Sequence, residues 1–292
     1  MDRDLFEKQS IVDTYVDDIA STFGVKRRSL NVVATAKGLV AGQLIIIRKD
    51  ASQLNCMGEE EGTLMPDVMM IERLEMPGLS WILIVEKEGT TGYLSSACIY
   101  CILASTATRE WFNRHGEINE SFLQINAPLT DVLKGKGYPD ISTRAFLHLV
   151  SICATDLNSK SPRLFALTDL DPDGIAIHST YKYGSAALAH ENEQLTVRNL
   201  RSIGLSNSDV YSIDAASEGR GVLSLTVRDR RQARKMLERD IYSENGPEPG
   251  WRRELQIMLF TNVKAEIQVI NEGNQTFDQW LEGKLVTALS QL

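Results

Sequence analysis

The sequence predicts an α/β protein built on a parallel β-sheet, and two apolar runs carry that prediction. Residues 81–85 and 164–167 are unbroken apolar stretches of the length expected for buried strands. Each run ends at acidic residues, and helical spacing follows in 90–107 and in 175–185. Strands that alternate with helices in this way favour a sheet whose strands run in the same direction.

Acidic side chains stand at the ends of both predicted strands. Asp169 and Asp171 follow the second run, and they point to the same side if the chain stays extended. Glu86 follows the first run, and parallel strands end at the same edge, where open α/β sheets bind ligands. Converging carboxylates suit Mg²⁺, which takes one or two of them together with water or substrate phosphate. The alternative is that each aspartate is only a turn residue or a helix N-cap.

The N-terminal region predicts a helix followed by a β-hairpin. Residues 9–23 have helical spacing, and Gly24 is placed to end the helix. The apolar side of this helix consists of Ile11, Val12, Tyr15, Val16, Ile19 and Phe23, so Tyr15 is assigned to the core. A basic turn and glycine-marked strands reach residue 48, which fits the end of a winged-helix module. Residues 49–66 are acidic and contain glycine, and they are interpreted as a loop or linker.

Most of the remaining segments are predicted as helices. These are 143–154, a basic segment at 226–237 and a long amphipathic segment at 251–270. The basic segment, taken alone, is interpreted as a solvated face. Residues 108–134 carry no clean period. His148 and His178 stand singly on helices and are assigned to packing or to the surface, because a zinc site needs several donors.

Composition restricts the classes of function. The net charge of −8 opposes nonspecific nucleic-acid binding, although a metal-dependent DNA enzyme needs an acidic site and so escapes that objection. No apolar run is long enough to span a bilayer and the N-terminus lacks a signal peptide, so we expect no membrane association and an intracellular location. Cys98 and Cys101 have CxxC spacing without a second pair, which favours buried packing in the 90–107 helix over zinc or redox chemistry.

A set of motifs, in this order along the chain, resembles one known family. The motifs are Val85-Glu86-Lys87-Glu88, Gly135-Lys136-Gly137-Tyr138-Pro139-Asp140, Asp169-Leu170-Asp171-Pro172-Asp173-Gly174-Ile175, Tyr181-Lys182-Tyr183-Gly184-Ser185, Leu225-Thr226 with Arg228-Asp229-Arg230, Trp251-Arg252 with Glu254-Leu255, and Lys264-Ala265-Glu266-Ile267. They are similar to the Toprim domain of the topoisomerase VI A subunit. The eukaryotic relative of that subunit, the meiotic double-strand-break transesterase, has the same domain. The resemblance covers nearly the whole chain.

The resemblance implies a fold and a set of site residues. Residues 67–292 would form a Toprim domain, a Rossmann-like parallel sheet with flanking and C-terminal helices. Residues 1–66 would be a partial winged-helix DNA-binding domain and a linker. By match, the ligands of Mg²⁺ are Glu86, Asp169 and Asp171, with Asp173 as an alternative ligand or one that holds the ion through water. The expected contacts to DNA phosphate are Lys26, Arg27, Arg28, Lys37 and Lys136.

The resemblance also implies a reaction, that of an ATP-hydrolysing type of DNA topoisomerase. In this family a tyrosine hydroxyl attacks a DNA phosphorus, becomes joined to the 5′ phosphate and releases a 3′-OH. The motif that carries this tyrosine falls at or before Met1, so no catalytic residue is assigned and the chain as written is expected not to form the link. The implied partners are DNA, a second copy of the chain and a topoisomerase VI B-like ATP-binding subunit. The residues that make up these motifs favour the meiotic protein of the family, which implies a location in the nucleus.

Two other functions remain open from the sequence. One is a noncatalytic relative that keeps the fold and binds DNA or a protein partner. The other is a Toprim nuclease that uses the metal to hydrolyse DNA and leaves free 5′ phosphates. The sequence does not separate relaxation of DNA from programmed break formation.

Overall fold

The computed structural model describes most of the chain. The residues that it leaves out are 1–7, 34–35, 37, 43, 57–62, 78, 87–98, 106–138, 154–161, 218–221, 273–276 and 291–292. The predictions for Lys37, Lys136 and the segment 108–134 therefore lie outside the described residues.

The described residues form α-helices and β-strands. The α-helices are α1 (Gln9–Phe23), α2 (Ile141–Ile152), α3 (Pro172–Tyr183), α4 (Asn207–Ser217), α5 (Val227–Leu237), α6 (Pro249–Thr261) and α7 (Phe277–Ser290). The strands are β1 (Leu39–Gly42), β2 (Ile45–Arg48), β3 (Gln53–Asn55), β4 (Thr63–Leu64), β5 (Ile71–Glu75), β6 (Leu79–Glu86), β7 (Ile99–Ser105), β8 (Arg163–Leu167), β9 (Arg201–Ser202), β10 (Val222–Ser224) and β11 (Val263–Ala265). Short 3-10 turns occupy Arg27–Leu30, Val68–Met70, Asn192–Gln194, Asp240–Tyr242 and Ile267–Glu272.

A six-stranded sheet in the order β4-β1-β7-β6-β8-β9 forms the centre of the fold. The strands β6, β8 and β9 are parallel neighbours, whereas β7 runs antiparallel to β6. The predicted α/β class and its parallel strands are therefore confirmed, in a sheet of mixed direction. Antiparallel strands also form a three-stranded sheet, β3-β2-β5, and a two-stranded sheet, β10-β11.

Apolar side chains cover both faces of the central sheet at β6 and β8, which explains why these two strands appear in the sequence as unbroken apolar runs. In β6, Trp81 and Leu83 face one hydrophobic core, while Ile82 and Ile84 face the other. The side chains of β8 alternate in the same way. Phe165 and Leu167 face the first core, and Leu164 and Ala166 face the second. The first core contains residues of α4 to α7, and the second contains residues of α2, β1 and β2.

Three sequence predictions are wrong in part. Residues 99–105, which include Cys101 and were predicted as part of a helix at 90–107, form strand β7 instead. The long helix predicted at 251–270 ends at Thr261, because Asn262 adopts the left-handed conformation (φ 58°) that commonly terminates helices. The segment 49–66 is not only a loop, since it contains β3 and β4.

The N-terminal region also departs from expectation. Helix α1 and its glycine cap at Gly24 are confirmed. The predicted apolar side is largely exposed, however, and Tyr15 retains 54% of its accessible surface. A different side of the helix packs against the protein, where Ala20 is buried and Asp17 accepts a hydrogen bond from Arg27.

The strands β1 and β2 belong to different sheets. Strand β1 joins the central sheet, whereas β2 pairs with β3 and β5, so the two strands do not form the hairpin expected of a winged helix. Because β1 and β4 belong to the same sheet as β6 and β8, that sheet extends across position 66. The division into domains at 66 stays a prediction. Among the described residues, no helix is long and apolar enough to cross a membrane.

Candidate metal site at the end of strand β8

The acidic segment begins where the buried strand β8 ends. Residues Leu164 to Leu167 are at most 1% exposed, and the chain then turns through Thr168, Asp169 and Leu170 into helix α3. Pro172 occupies the first position of α3, where its missing N–H costs nothing. The strand, the acidic turn and the helix predicted for this part of the sequence are all confirmed.

Backbone N–H groups fix the two aspartates that were predicted as metal ligands. Oδ1 of Asp169 accepts a hydrogen bond of 2.8 Å from the backbone N–H of Ile267. Asp171 is the N-cap of α3, and its Oδ1 accepts from the backbone N–H of Gly174 at 2.6 Å. Asp171 therefore does cap the helix, which was the alternative role considered from the sequence. The capping hydrogen bond holds its carboxylate at the same cavity that Asp169 lines.

A distant segment holds the acidic turn in place. Leu170 and Ala265 form an antiparallel bridge, with hydrogen bonds of 2.9 and 3.0 Å between their backbones. The neighbouring residue Lys264 lies beside the acids, and Ile267 binds Asp169. The motif Lys264-Ala265-Glu266-Ile267, interpreted from the sequence as structural, thus forms one wall of the site.

These elements enclose a cavity of about 350 Å³ at the end of the sheet. Its lining contains the carboxylates of Asp169, Asp171, Asp173, Asp229 and Glu266, the cations of Arg228 and Lys264, and parts of Thr226 and Ala265. The cavity therefore combines carboxylate oxygens, which suit a hard cation, with fixed positive charges, which suit phosphate.

Each fixed cation in the cavity is paired with its own acid. Arg228 binds Asp173 through Nη2, with contacts of 3.1 and 3.2 Å to the two carboxylate oxygens, and Gln232 donates to Asp173 at 2.8 Å. Lys264 Nζ lies 2.9 Å from Oδ2 of Asp229. The contacts of Asp173 make it a less direct candidate for metal binding than Asp169 or Asp171.

The electrostatics of the cavity hold Lys264 in its charged form. Burial alone would lower its pKa, but the hydrogen bond and charge of Asp229, followed by the charges of Asp171 and Asp173, raise the pKa of Lys264 above its ordinary value. Burial likewise opposes ionisation of Asp229, yet hydrogen bonds from Lys264 and Thr226 leave its pKa below the ordinary value. Sequence reasoning missed this pair as part of the site, although both residues stand in the motifs that it singled out.

The third predicted ligand, Glu86, is placed by the backbone alone. It is the last residue of β6, and the parallel register pairs Val85 with Leu167 of β8. The backbone of Glu86 therefore lies at the same sheet edge as the acidic turn. Its side chain is not among those that the structure describes. Among the described side chains, no three acidic, histidine or cysteine residues are grouped closely enough to hold a metal ion.

The donor set still fits Mg²⁺. That ion is usually bound by one or two carboxylates, with waters and substrate phosphate completing its octahedral shell. Asp169 and Asp171 supply two such groups in one cavity, so the residues present meet the requirement.

The described basic residues predicted to contact DNA, which are Lys26, Arg27 and Arg28, are not among the residues that line the cavity. Arg27 is half-buried and donates to Asp17 at 2.5 Å, and Arg28 pairs with Asp67 at 2.7 Å. Lys26 donates to Gln194. Each of these side chains thus has a partner within the fold, and their role at DNA stays a prediction.

The single histidines are packing residues, as predicted. Nδ1 of His148 lies 2.8 Å from the carbonyl oxygen of Thr196. His178 is buried against the ring of Trp251, with centroids 4.8 Å apart.

Comparison with known proteins identifies the family. The sequence profile of the Toprim domain of the topoisomerase 6 A-subunit/Spo11 family matches residues 118–285, more than half of the chain. The chain belongs to the topoisomerase 6 A-subunit/Spo11 family. A second profile, described as type IIB DNA topoisomerase, matches residues 1–32.

Members of this family from several kingdoms resemble the chain. Meiotic recombination protein SPO11 of Homo sapiens is 30% identical over 92% of this chain and 59% of its own length. Meiotic recombination protein rec12 of Schizosaccharomyces pombe is 30% identical over 98% of this chain and 69% of its own length. The DNA topoisomerase 6 A-subunit of Arabidopsis thaliana is 30% identical over 92% of this chain and 55% of its own length. The chain thus spans about three fifths of the human relative.

Proposed function

We propose that this chain provides the Mg²⁺-binding Toprim part of a DNA transesterase that makes double-strand breaks in meiotic recombination. The observation that carries the proposal is the cavity at the end of β8, which Asp169 and Asp171 line together. The position of Glu86 at the end of the neighbouring parallel strand supports it. The meiotic role is supported by the names of the human and fission-yeast relatives.

The reaction proposed is a type IIB topoisomerase transesterification. A tyrosine oxygen forms a bond to a DNA phosphorus and loses its proton, while the bond from phosphorus to the 3′ oxygen breaks and that oxygen gains a proton. The products are a 5′-phosphotyrosyl link and a 3′-OH. Among the described residues that line the cavity there is no tyrosine, so the nucleophile is not assigned to this site.

The residues of the cavity have separate tasks in this proposal. Asp169, Asp171 and Glu86 would hold Mg²⁺, which supplies charge neutralisation at the phosphoryl oxygens when bound. The backbone hydrogen bonds to Asp169 and Asp171 keep both carboxylates oriented. Arg228 and Lys264 hold positive charge at the wall that a DNA phosphate would approach, and their own acids keep them in position.

The wider assembly is proposed on family membership alone. A double-strand break needs two active sites, so the chain would act as a homodimer, and a B-like ATP-binding partner would couple the reaction to ATP. The substrate is chromosomal DNA, which places the reaction in the nucleus.

Removal of single carboxylate charges tests the proposal. Asp171→Asn keeps the helix cap, because Asn caps as well as Asp, but it removes a ligand charge. We expect Mg²⁺ to tighten binding of this chain to a nicked DNA duplex, measured by fluorescence anisotropy, and Asp169→Asn and Asp171→Asn to abolish that increment. Glu72→Gln, at an exposed position in β5, is the control.

Two outcomes would contradict the proposal. If Mg²⁺ still tightened DNA binding equally in both variants, the ion would not bind at Asp169 and Asp171 in this cavity. Cutting of the duplex by this chain in Mg²⁺, with free 5′ phosphates at the new ends, would instead show a hydrolytic nuclease.

A further inference from the structure

Helix α5 presents a basic surface next to the acidic cavity. The helix contains five basic residues and one acidic residue in a chain whose net charge is −8. The acidic residue, Asp229, is buried and paired with Lys264, so it does not offset the charge at the surface. The basic surface comprises Arg228, Arg231, Arg234 and Lys235, all of which are exposed.

The packing of α5 fixes which side faces solvent. Ala233 and Met236 are at most 4% exposed and pack in the first core. Arg228, Arg231 and Lys235 are spaced by three and four residues, so they lie in one row on the outer side. We call this row the α5 ridge. It spans roughly 10 Å, because an α-helix rises about 1.5 Å per residue.

One end of the α5 ridge lies at the cavity. Arg228 lines the cavity and binds Asp173, while Arg231 and Lys235 continue along the helix away from it. Successive phosphates of one DNA strand advance about 3.4 Å along the axis and lie farther apart than that along the winding strand, so the ridge is long enough to reach two of them.

Apart from Arg228, the exposed cations of α5 are not explained by ion pairing within the described part of the fold. Arg230 donates to the carbonyl of Leu225 and to Asn262, so its role is structural. In the part of the chain that the structure describes, no ion pair joins Arg231, Arg234 or Lys235 to a carboxylate. An exposed acid, Glu238, stands only after the helix has ended.

We propose that the α5 ridge binds the phosphate backbone of DNA beside the cavity. This inference rests on the proposed function, and it adds the path that the DNA strand takes from the metal site. Arg and Lys at this spacing contact phosphates without reading sequence, so the ridge would contribute affinity and position, not base preference.

The salt dependence of DNA binding tests the α5 ridge. We compare this chain with the double variant Arg231→Gln/Lys235→Gln, in which Gln preserves helix propensity. The control, Lys49→Gln/Arg198→Gln, removes two exposed cations from turns elsewhere in the chain and changes the net charge by the same amount. Each lost phosphate contact makes the slope of log Kobs against log salt shallower by about 0.9. We therefore expect the slope to become shallower by about 1.8 in the ridge variant and to stay unchanged in the control.

The possible results separate the ridge from the metal site. Binding by the ridge variant with an unchanged slope, or an equal loss of slope in the control, overturns the α5 ridge and leaves the metal site standing. If Asp169→Asn abolishes the Mg²⁺ increment but keeps the slope, the phosphate contacts that set the slope do not come from the metal site, as expected for the α5 ridge. If the unmodified chain binds no DNA, both proposals fail.

Discussion

Gly174 shows at the residue scale how closely the acidic turn is packed against helix α3. It occupies the third position of the helix, and its N–H binds the carboxylate of Asp171. A Cβ atom at this position would lie 2.5 Å from the carbonyl oxygen of Asp169 and 3.3 Å from Oδ1 of Asp171. Glycine is thus required here by space, although it is a poor helix former.

The substitution Gly174→Ala is expected to destabilise the protein. The clash with the backbone of Asp169 should outweigh the gain in helix propensity and lower the free energy of unfolding by about 1–3 kcal/mol. It should also displace both aspartates and weaken the Mg²⁺ increment in DNA binding. Urea unfolding followed by circular dichroism measures the first effect.

A second glycine offers the matched control. Gly283 lies on an exposed side of α7, and nothing stands within 4 Å of the Cβ that it would gain. Gly283→Ala should therefore stabilise the protein by about 0.5–1 kcal/mol through helix propensity alone. If both substitutions stabilised the protein, the backbone at Asp169 would be shown to accommodate the added Cβ atom without loss of folding free energy.

At the scale of elements, helix α5 depends on the residues at its start. Thr226 and Asp229 form a capping box: Thr226 Oγ1 accepts from the N–H of Asp229 at 3.1 Å, and Asp229 accepts from the N–H of Thr226 at 2.9 Å. Lys264 of β11 binds the same carboxylate. The cap therefore joins α5 to the strand that bridges the acidic turn.

We expect Thr226→Ala to lower the free energy of unfolding by about 1 kcal/mol, the usual cost of a lost N-cap. Thr22→Ala is the comparison, because Thr22 is exposed inside α1 and its hydroxyl only bonds back to the carbonyl of Asp18. That change should be neutral or slightly stabilising, since Ala is the better helix former. Equal losses in the two variants, measured by urea unfolding, would argue against a special role for the cap.

At the scale of the whole molecule, His178 connects α3 to α6. It is 1% exposed and packs against the ring of Trp251 at a tilt of 58°. Burial, followed by the nearby charge of Lys182, lowers the pKa of His178 to about 3 from an ordinary value of 6.5. The folded protein therefore keeps this ring neutral at pH values where the unfolded chain protonates it.

Acid should weaken the fold through this histidine. Because the unfolded state binds the extra proton, stability falls as the pH drops below about 6.5, and the loss from His178 reaches about 2 kcal/mol at pH 5. Urea unfolding at both pH values measures the loss.

The variant His178→Gln isolates the contribution of this ring. It removes the titrating group, so its stability should depend less on pH between 7 and 5, whatever its absolute stability. The other histidines remain in both proteins and cancel in the comparison. An equal pH dependence in the two proteins would contradict this expectation, because it would show that His178 has the same pKa in the folded protein as in the unfolded chain.

The sequence predicted much of the site but little of its surroundings. The strand 164–167, the helix after it and the carboxylates between them follow from apolar periodicity and from local turn chemistry, which act over neighbouring residues. The hydrogen bond from Ile267 to Asp169 joins positions 98 residues apart, and no local pattern specifies such a contact. The side of α1 that is buried was likewise predicted wrongly, because periodicity shows an apolar side without showing what covers it.

The sequence by itself determined the family, the strands β6 and β8 with acidic ends, and the start of α3. These features depend on the order of residues along a short stretch of chain. Only the tertiary structure decided that Lys264 and Arg228 enter the acidic cavity and that α5 turns its basic side outward next to it. The reason is physical: which charges meet depends on how β11 and α5 pack against the acidic turn, and that packing is set by the whole hydrophobic core.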